Sequence, residues 1–155
     1  MKNEIITELL TDLAALTFVG GINCFGNVKT VYRNNQNPRD AILIPRSTPV
    51  VLLGNTSDER IYTFDLSLYE VIESTLSQSE SEKRQARINN IEDAILNYLE
   101  KEPHNLVNSI VFSNGNITKV RVNSTDQQYV TTEQGISVAL SIQFSVYVLI
   151  TPQLL

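Results

Sequence analysis

The chain has 155 residues, a formal net charge of −5 at neutral pH, one cysteine and one histidine. This length is enough for one domain with a hydrophobic core, and we expect a single domain over residues 1–155. The acidic charge argues against nucleic-acid binding as the main function, since binding to phosphates needs a basic surface. The lone Cys24 excludes an internal disulfide and, with His104 as the single histidine, zinc and iron–sulfur sites are not expected.

The sequence predicts neither a membrane protein nor a secreted one. Glu4, Glu8 and Asp12 interrupt the apolar residues of the N-terminus, so these residues do not make the core of a signal peptide. No apolar run approaches the ~20 residues that cross a bilayer as a helix. We therefore expect a soluble protein that is not exported by a cleaved signal.

The first third of the chain predicts one helix and then short strands. Apolar residues at three- and four-residue spacing predict an amphipathic helix over 3–17, with Gly20 and Gly21 as its stop. The stripe consists of Ile5, Ile6, Leu9, Leu10, Leu13 and Leu16. Alternation predicts a short strand over 28–33, and NNQNPRD at 34–40 is expected to be a loop. Pro45 and Pro49 place 41–49 at a sheet edge or in an extended linker, before the apolar run 50–53.

A long strand is predicted over 61–72, after a polar loop NTSDER at 55–60. Its inward face is expected to consist of Tyr62, Phe64, Leu66 and Leu68. Glu70 and Val71 break this alternation, which predicts a strand end or a bulge there. The surrounding acidic residues have no spacing suited to calcium or magnesium, so we expect a solvated face. They are Asp58, Glu59, Asp65, Glu70 and Glu73.

A long helix is predicted over about 80–101, with Ser79 or Ser81 as its N-cap and Pro103 after its end. The remainder is expected to be strands. A hairpin of 106–113 and 117–123 is predicted around Asn114-Gly115, a dipeptide that suits a tight turn. A second polar loop is expected at 124–128, followed by a strand over 129–133.

The stretch ISVALSIQFSVYVLI at 136–150 alternates without a miss and predicts the main strand of the protein. At ~3.3 Å per residue it would reach roughly 50 Å, well beyond an ordinary strand. We expect it either to bend at a bulge or to extend against a neighbouring subunit. Strands in blocks with two helices predict an α+β fold, a mainly antiparallel twisted sheet with both helices on one face.

The sequence contains no convincing catalytic constellation. Cys24 and His104 are the one nucleophile and base pair that the composition permits, but neither has a recognisable context, and His104 is expected in the loop after a helix. Gly20, Gly21 and Gly26 lack the spacing of a phosphate loop. We therefore expect no enzymatic activity and no cofactor.

The order of elements resembles the tail terminator proteins of long-tailed bacteriophages. The matching segments are the helix at 3–17, TPVVLLG at 48–54, the loop NTSDER, YTFDLSLYEVI at 62–72, the helix at 80–101, and EQGISVALSIQFSVYVLI at 133–150. The likeness lies in the pattern of elements and hydrophobicity and covers most of the chain. It implies a non-enzymatic virion protein of the tail or neck, assembled in the host cytoplasm.

The resemblance also implies partners. Members of the family form a sixfold ring that caps the tail tube and presents a surface to the head connector, so we expect a homo-oligomeric ring, a hexamer, with these two axial partners. DNA would pass through the lumen, where an acidic surface would keep it from adhering. Two alternatives stay open: a related head-completion or tail-completion protein of the neck, and an interaction module unrelated to phage.

A ring of identical subunits needs head-to-tail contacts between two different patches. Charged loops are candidates for these patches. The predicted interface residues are Asp58, Glu59 and Arg60 in the loop before the long strand, with Arg33, Arg39 and Arg46 as their charge partners. Arg84 and Arg87, on the polar face of the second helix, are further candidates for pairing across subunits.

Overall fold

A computed structural model describes residues 1–18, 22–30, 37–46, 50–52, 58–73, 77–132 and 135–151. The helices in this part of the chain are α1 (Lys2–Ala14), α2 (Gln78–Leu99) and α3 (Asn105–Ser109). Helix α1 ends three residues before the predicted boundary, because the chain turns at Ala15 into the small strand pair β1 (Thr17–Phe18) and β2 (Ile22–Asn23). The glycines predicted to stop it, Gly20 and Gly21, lie outside the described residues.

One sheet holds the remaining strands. They are β3 (Val28–Lys29), β4 (Ala41–Pro45), β5 (Val50–Leu52), β6 (Asp58–Glu73), β7 (Gly115–Thr132) and β8 (Gly135–Ile150). The order across the sheet is β3-β4-β6-β8-β7, and β5 pairs with the first residues of β6 beside β4. All pairs are antiparallel except β3 with β4. The predicted α+β class with a mainly antiparallel sheet is confirmed.

The predicted main strand is β8, and it lies between two strands of similar length. Its partners β6 and β7 accompany it from Ile150 to Ile136. The bulges lie in these partners, between Val71 and Glu73 in β6 and at two places in the first half of β7. The predicted irregularity near Val71 is therefore confirmed, and β8 itself stays regular while its neighbours absorb the extra residues.

The core lies between one face of this sheet and the helices α1 and α2. Even-numbered residues of β6 and β8 point into it, as the alternation predicted, and Phe64 stacks on Phe144 with ring centroids 5.5 Å apart. Helix α1 contributes Ile5, Leu9 and Leu13, and α2 contributes Ile88, Ile91, Ile95 and Leu99. Ile136 is the exception in β8, since it remains 36% exposed at the end of the sheet.

The predicted edge position of 41–49 is correct only for part of β4. Ala41 and Ile42 pair with β3 on one side, so the strand is internal there. Beyond β3, residues Leu43 to Pro45 pair with β6 alone. Pro45 is the last residue of the strand, and none of the described strands pairs with it on the side away from β6. Proline has no N–H group to donate, so it is tolerated at such an edge position.

The loop predicted at 55–60 is wrong at its second half. Asp58, Glu59 and Arg60 are the first residues of β6, paired with β5 on one side and β8 on the other. The charged side chains suggested a loop, but β5 and β8 both offer backbone partners here. Tertiary pairing therefore overrides the local preference for a turn.

The predicted hairpin around Asn114-Gly115 is also wrong. Residues 105–109 form helix α3, and an isolated bridge between Phe112 and Gly115 is all that pairs across this turn. His104 lies in the connection after α2, as expected, and there it is the buried N-cap of α3. The polar segment 124–128, predicted to be a loop, belongs to β7, because β8 pairs with it along its whole length.

Two predictions around α2 need correction. Its N-cap is Ser77, whose hydroxyl accepts the N–H of Glu80 at 3.2 Å, rather than Ser79 or Ser81. Glu70 is not part of a solvated acidic face, since its side chain is 3% exposed beneath α2. It accepts a hydrogen bond from Nη2 of Arg87 at 2.6 Å.

Candidate assembly surfaces

The sheet has a second face, on which none of the described helices packs. Side chains from three strands and from the residue after β4 line a shallow groove there, with a volume of about 290 Å³. We call it the polar groove. Its lining consists of Arg46, Asp65, Ser124, Asp126, Gln128, Ala139, Ser141 and Gln143.

Pairing register explains why these residues meet. Asp65 lies opposite Gln143, and Gln143 lies opposite Ser124 on the other side of β8. In the same way Ser141 lies opposite Asp126. Residues that are directly opposite point to the same face of a sheet, so three polar positions from three strands converge.

The charges of the polar groove are largely compensated within the chain. Arg46 forms an ion pair with Asp65, and Nε2 of Gln143 donates to the same carboxylate at 3.1 Å. Asp126 accepts a hydrogen bond from Gln128 at 2.8 Å. Two carboxylates and one guanidinium leave the groove mildly acidic, with small polar side chains between the charges.

The arginines predicted as interface partners are placed differently from one another. Arg33 lies outside the described residues. Arg39 adopts a positive φ of 67° in the turn before β4, and its guanidinium donates to the carbonyl of Asn23 at 2.9 Å. Arg46 is 59% exposed but is already paired with Asp65. Both described arginines therefore have partners in their own chain.

The predicted partners of these arginines, Asp58 and Glu59, lie with Arg60 at the start of β6. Asp58 and Glu59 are partly buried, and Arg60 is exposed, with Nη1 4.0 Å from the sulfur of Met1. The backbone of Arg39 pairs near Tyr69, nine residues further along the same strand. At ~3.3 Å per residue this is about 30 Å away. The fold therefore does not bring Arg39 close to Asp58, Glu59 and Arg60 within one subunit, whereas Arg46 lies beside Thr63, three residues from Arg60.

Two polar clusters were not predicted from the sequence, one buried and one partly exposed. In the first, Glu70 joins β6 to Arg84 and Arg87 of α2. These arginines were predicted to lie on the polar face of α2 as candidates for pairing across subunits, and they pair within the chain. A signal was present in the sequence, because Glu70 continues the even-numbered phase of the inward residues Phe64 and Leu68.

The second cluster joins all three helices. The hydroxyl of Tyr98 donates to Asp12 at 2.6 Å, and Asn105 donates to the same carboxylate oxygen at 3.0 Å. Burial, reinforced by this hydrogen bond, raises the pKa of Tyr98 well above its usual range. The neutral phenol is thus a fixed donor, and the cluster fastens α2 and α3 to α1.

Cys24 and His104, the nucleophile and base considered from the sequence, are both buried. The Nδ1 atom of His104 accepts the N–H of Leu106 at 3.1 Å, and its ring packs edge-on against Tyr98. Burial raises the pKa of the Cys24 thiol, which disfavours the reactive thiolate. Each residue is explained by its local structure.

Metal and membrane sites are not indicated by the residues that the structure describes. Within those ranges, no three His, Cys, Asp or Glu side chains are grouped as a metal site would require. None of the described helices has the length and apolar character needed to cross a membrane.

Comparison with known proteins identifies little. No protein family matches the sequence, and no curated protein matches it. Among solved structures, the chain is similar to one from the virion of a native gene transfer agent particle, with a TM-score of 0.42 and 12% sequence identity. The similarity covers 78% of this chain and 77% of the other. At so low a score, function has to be argued from the residues of this chain.

Proposed function

We propose that this chain is a non-enzymatic structural protein of a phage-like virion, a tail terminator whose copies form a ring at the end of the tail tube. The observation that carries the proposal is the two-sided sheet. Three adjacent strands of 16 to 18 residues have helices on one face and the polar groove on the other. The order of elements that resembles the tail terminator family is consistent with this architecture.

In such a ring the helices would face outward and the polar groove would face the lumen. A lumen that conducts DNA has to be wetted and must not hold phosphates. Ser141, Gln143 and Ser124 supply small polar side chains, and Asp126 adds negative charge. Among the residues that line the groove, the one guanidinium, Arg46, is neutralised by its ion pair with Asp65.

The absence of enzymatic activity is part of the proposal. Among the described residues, the buried carboxylates are held in structural contacts: Asp40 pairs with Lys29 at 3.0 Å, and Glu70 pairs with Arg87. Ion pairs of this kind stabilise a fold and leave no free acid or base for catalysis. The tail tube protein and the head connector are the proposed axial partners.

The first experiment measures mass by light scattering over a concentration series and images any large species by negative stain. Rings that cap purified tail tubes support the proposal, and monomers that neither assemble nor cap tubes contradict it.

Arg60→Glu tests the exposed interface position. Arg60→Glu should reduce the mass of the assembly and leave the melting temperature unchanged. Lys83→Glu makes the same charge change on the exposed face of α2 and should leave both the mass and the melting temperature unchanged.

Orientation is tested in the same particles. Cys24 is the single cysteine and is buried, so Ser141→Cys introduces one reactive thiol into the polar groove. An electron-dense maleimide label on this thiol should appear at the central hole of the ring. A label at the outer rim would show that the groove does not line the lumen.

A further inference from the structure

The outer edge of β7 is a long row of backbone groups with no partner strand in the described parts of the chain. On its other side, β7 pairs with β8 throughout. Unpaired edges bind other strands, and proteins usually protect them with bulges and charges. The first half of β7 has both, since two register shifts and the charged Lys119 and Arg121 fall there.

The second half of β7 lacks the bulges and the positive charges that protect the first half. Residues 124–132, which we call the tip edge, contain no register shift and one charged residue, Asp126. Their sequence, STDQQYVTT, has β-branched and aromatic residues that favour strands, and neither glycine nor proline. The second half of the β7 edge is thus better suited to pairing with another strand than the first half.

Exposed apolar side chains lie at the same place. Tyr129 is 71% exposed, Val130 is 40% exposed, and Ile136 on the adjacent strand is 36% exposed. Thr131 lies opposite Ile136, so Tyr129 and Ile136 are diagonal neighbours on the helix-bearing face, while Val130 points to the other face. A strand added to the tip edge would cover apolar groups on both faces.

We propose that the tip edge pairs antiparallel with the tip edge of a second copy of this chain. With Tyr129 opposite its counterpart, Gln128 lies opposite Val130 and Asp126 lies opposite Thr132 of the second copy. No like charges meet, and the two tyrosines form a cross-strand aromatic pair beside Ile136. The charge pattern favours a second copy as the pairing strand. The tip edge carries one acidic residue, Asp126, and this register places it opposite an uncharged threonine, so the two copies pair without charge repulsion.

This contact is separate from the ring contacts of the proposed function. A twofold pairing uses the same patch on both copies, whereas a ring closes through two different patches. Copies that make both contacts would form two rings joined back to back. The inference therefore goes beyond the proposed function and can hold or fail without it.

Disulfide trapping tests the pairing. Tyr129→Cys lies on the twofold axis, where the Cα atoms of the two copies come within the 4.4–6.8 Å that a disulfide spans. Under mild oxidation this variant should give covalent dimers. Arg121→Cys, exposed on the same strand but outside the tip edge, is the matched control. Equal cross-linking of Arg121→Cys, or none at the tip edge, would overturn the proposal.

Solution mass gives the second test. Tyr129→Lys places two like charges opposite each other and should halve the mass of the wild-type species, with an unchanged melting temperature. Asn116→Lys, exposed at the other end of β7, should leave the mass unchanged. A wild-type protein that is monomeric at every concentration, or a Tyr129→Lys variant of unchanged mass, would overturn the pairing. If Tyr129→Lys still forms rings, at half the mass of the wild-type species, both proposals are supported. If the wild-type protein forms dimers and no rings, the pairing of tip edges alone is supported.

Discussion

The buried ion cluster under α2 allows a prediction in which the loss of stability depends on which partner is removed. Glu70 is 3% exposed, whereas Arg84 and Arg87 are 27% and 31% exposed and reach the surface. Arg87 lies 2.6 Å from the carboxylate and Arg84 lies 3.8 Å from it. The carboxylate is thus the group that depends on the pair, because the arginines can turn toward water.

Removing the arginine should therefore cost more than removing the acid. Arg87→Met keeps the aliphatic packing but leaves a buried carboxylate with one longer contact, which should destabilise the fold by about 2–3 kcal/mol. Glu70→Leu places an apolar side chain in the core phase of β6 and frees both arginines to solvent. Its cost should be below about 1 kcal/mol, since apolar replacement of buried ions is often neutral.

Urea unfolding followed by circular dichroism measures both changes from the shift in midpoint at constant slope. The double variant Glu70→Leu/Arg87→Met should lie close to Glu70→Leu alone, because the stranded carboxylate is gone. Arg121→Met, an exposed arginine on β7, is the control and should change little. A Glu70→Leu variant that loses more stability than Arg87→Met would refute this account of the cluster.

Two further predictions concern the core and the single histidine. Phe144→Ala should destabilise the fold by about 3–5 kcal/mol, because Phe144 is fully buried against Phe64; urea unfolding would contradict this if the loss were no larger than for Ser141→Ala. Burial lowers the pKa of His104, so stability should fall as the pH decreases below about 6.5, where the unfolded chain takes up the proton first. His104→Asn, which keeps an N-cap acceptor for α3, should remove this pH dependence of the melting temperature between pH 7.5 and 5. Equal slopes for the two proteins would show that His104 is not its source.

Most of the long elements could be predicted because their patterns are strong over many residues. The alternation from Val138 to Ile150 and the helical spacing of Ile88, Ile91 and Ile95 each repeat too often to fit another structure. Shorter elements were predicted less well. Asn114-Gly115 is a turn signal, but it does not say whether the residues before it form a strand or, as here, helix α3.

The candidate surfaces depended on register, which no local pattern contains. Asp65, Ser141 and Asp126 are 76 and 15 residues apart in sequence, and they line one groove because β6, β8 and β7 pair in a particular alignment. The predicted interface residues were chosen as loop charges. Two bordering strands make Asp58–Arg60 part of β6 rather than of a loop, and their pairing with Arg39 across subunits stays a prediction.

The sequence by itself determined the α+β class, the inward faces of β6 and β8 and the amphipathic helices, because each depends on periodicity within one segment. Only the tertiary structure decided that Glu70 pairs with Arg84 and Arg87, that 124–128 is strand, and that β7 lies at an edge of the sheet. These depend on which segments lie side by side, and pairing energy between distant strands outweighs the local preferences of polar residues.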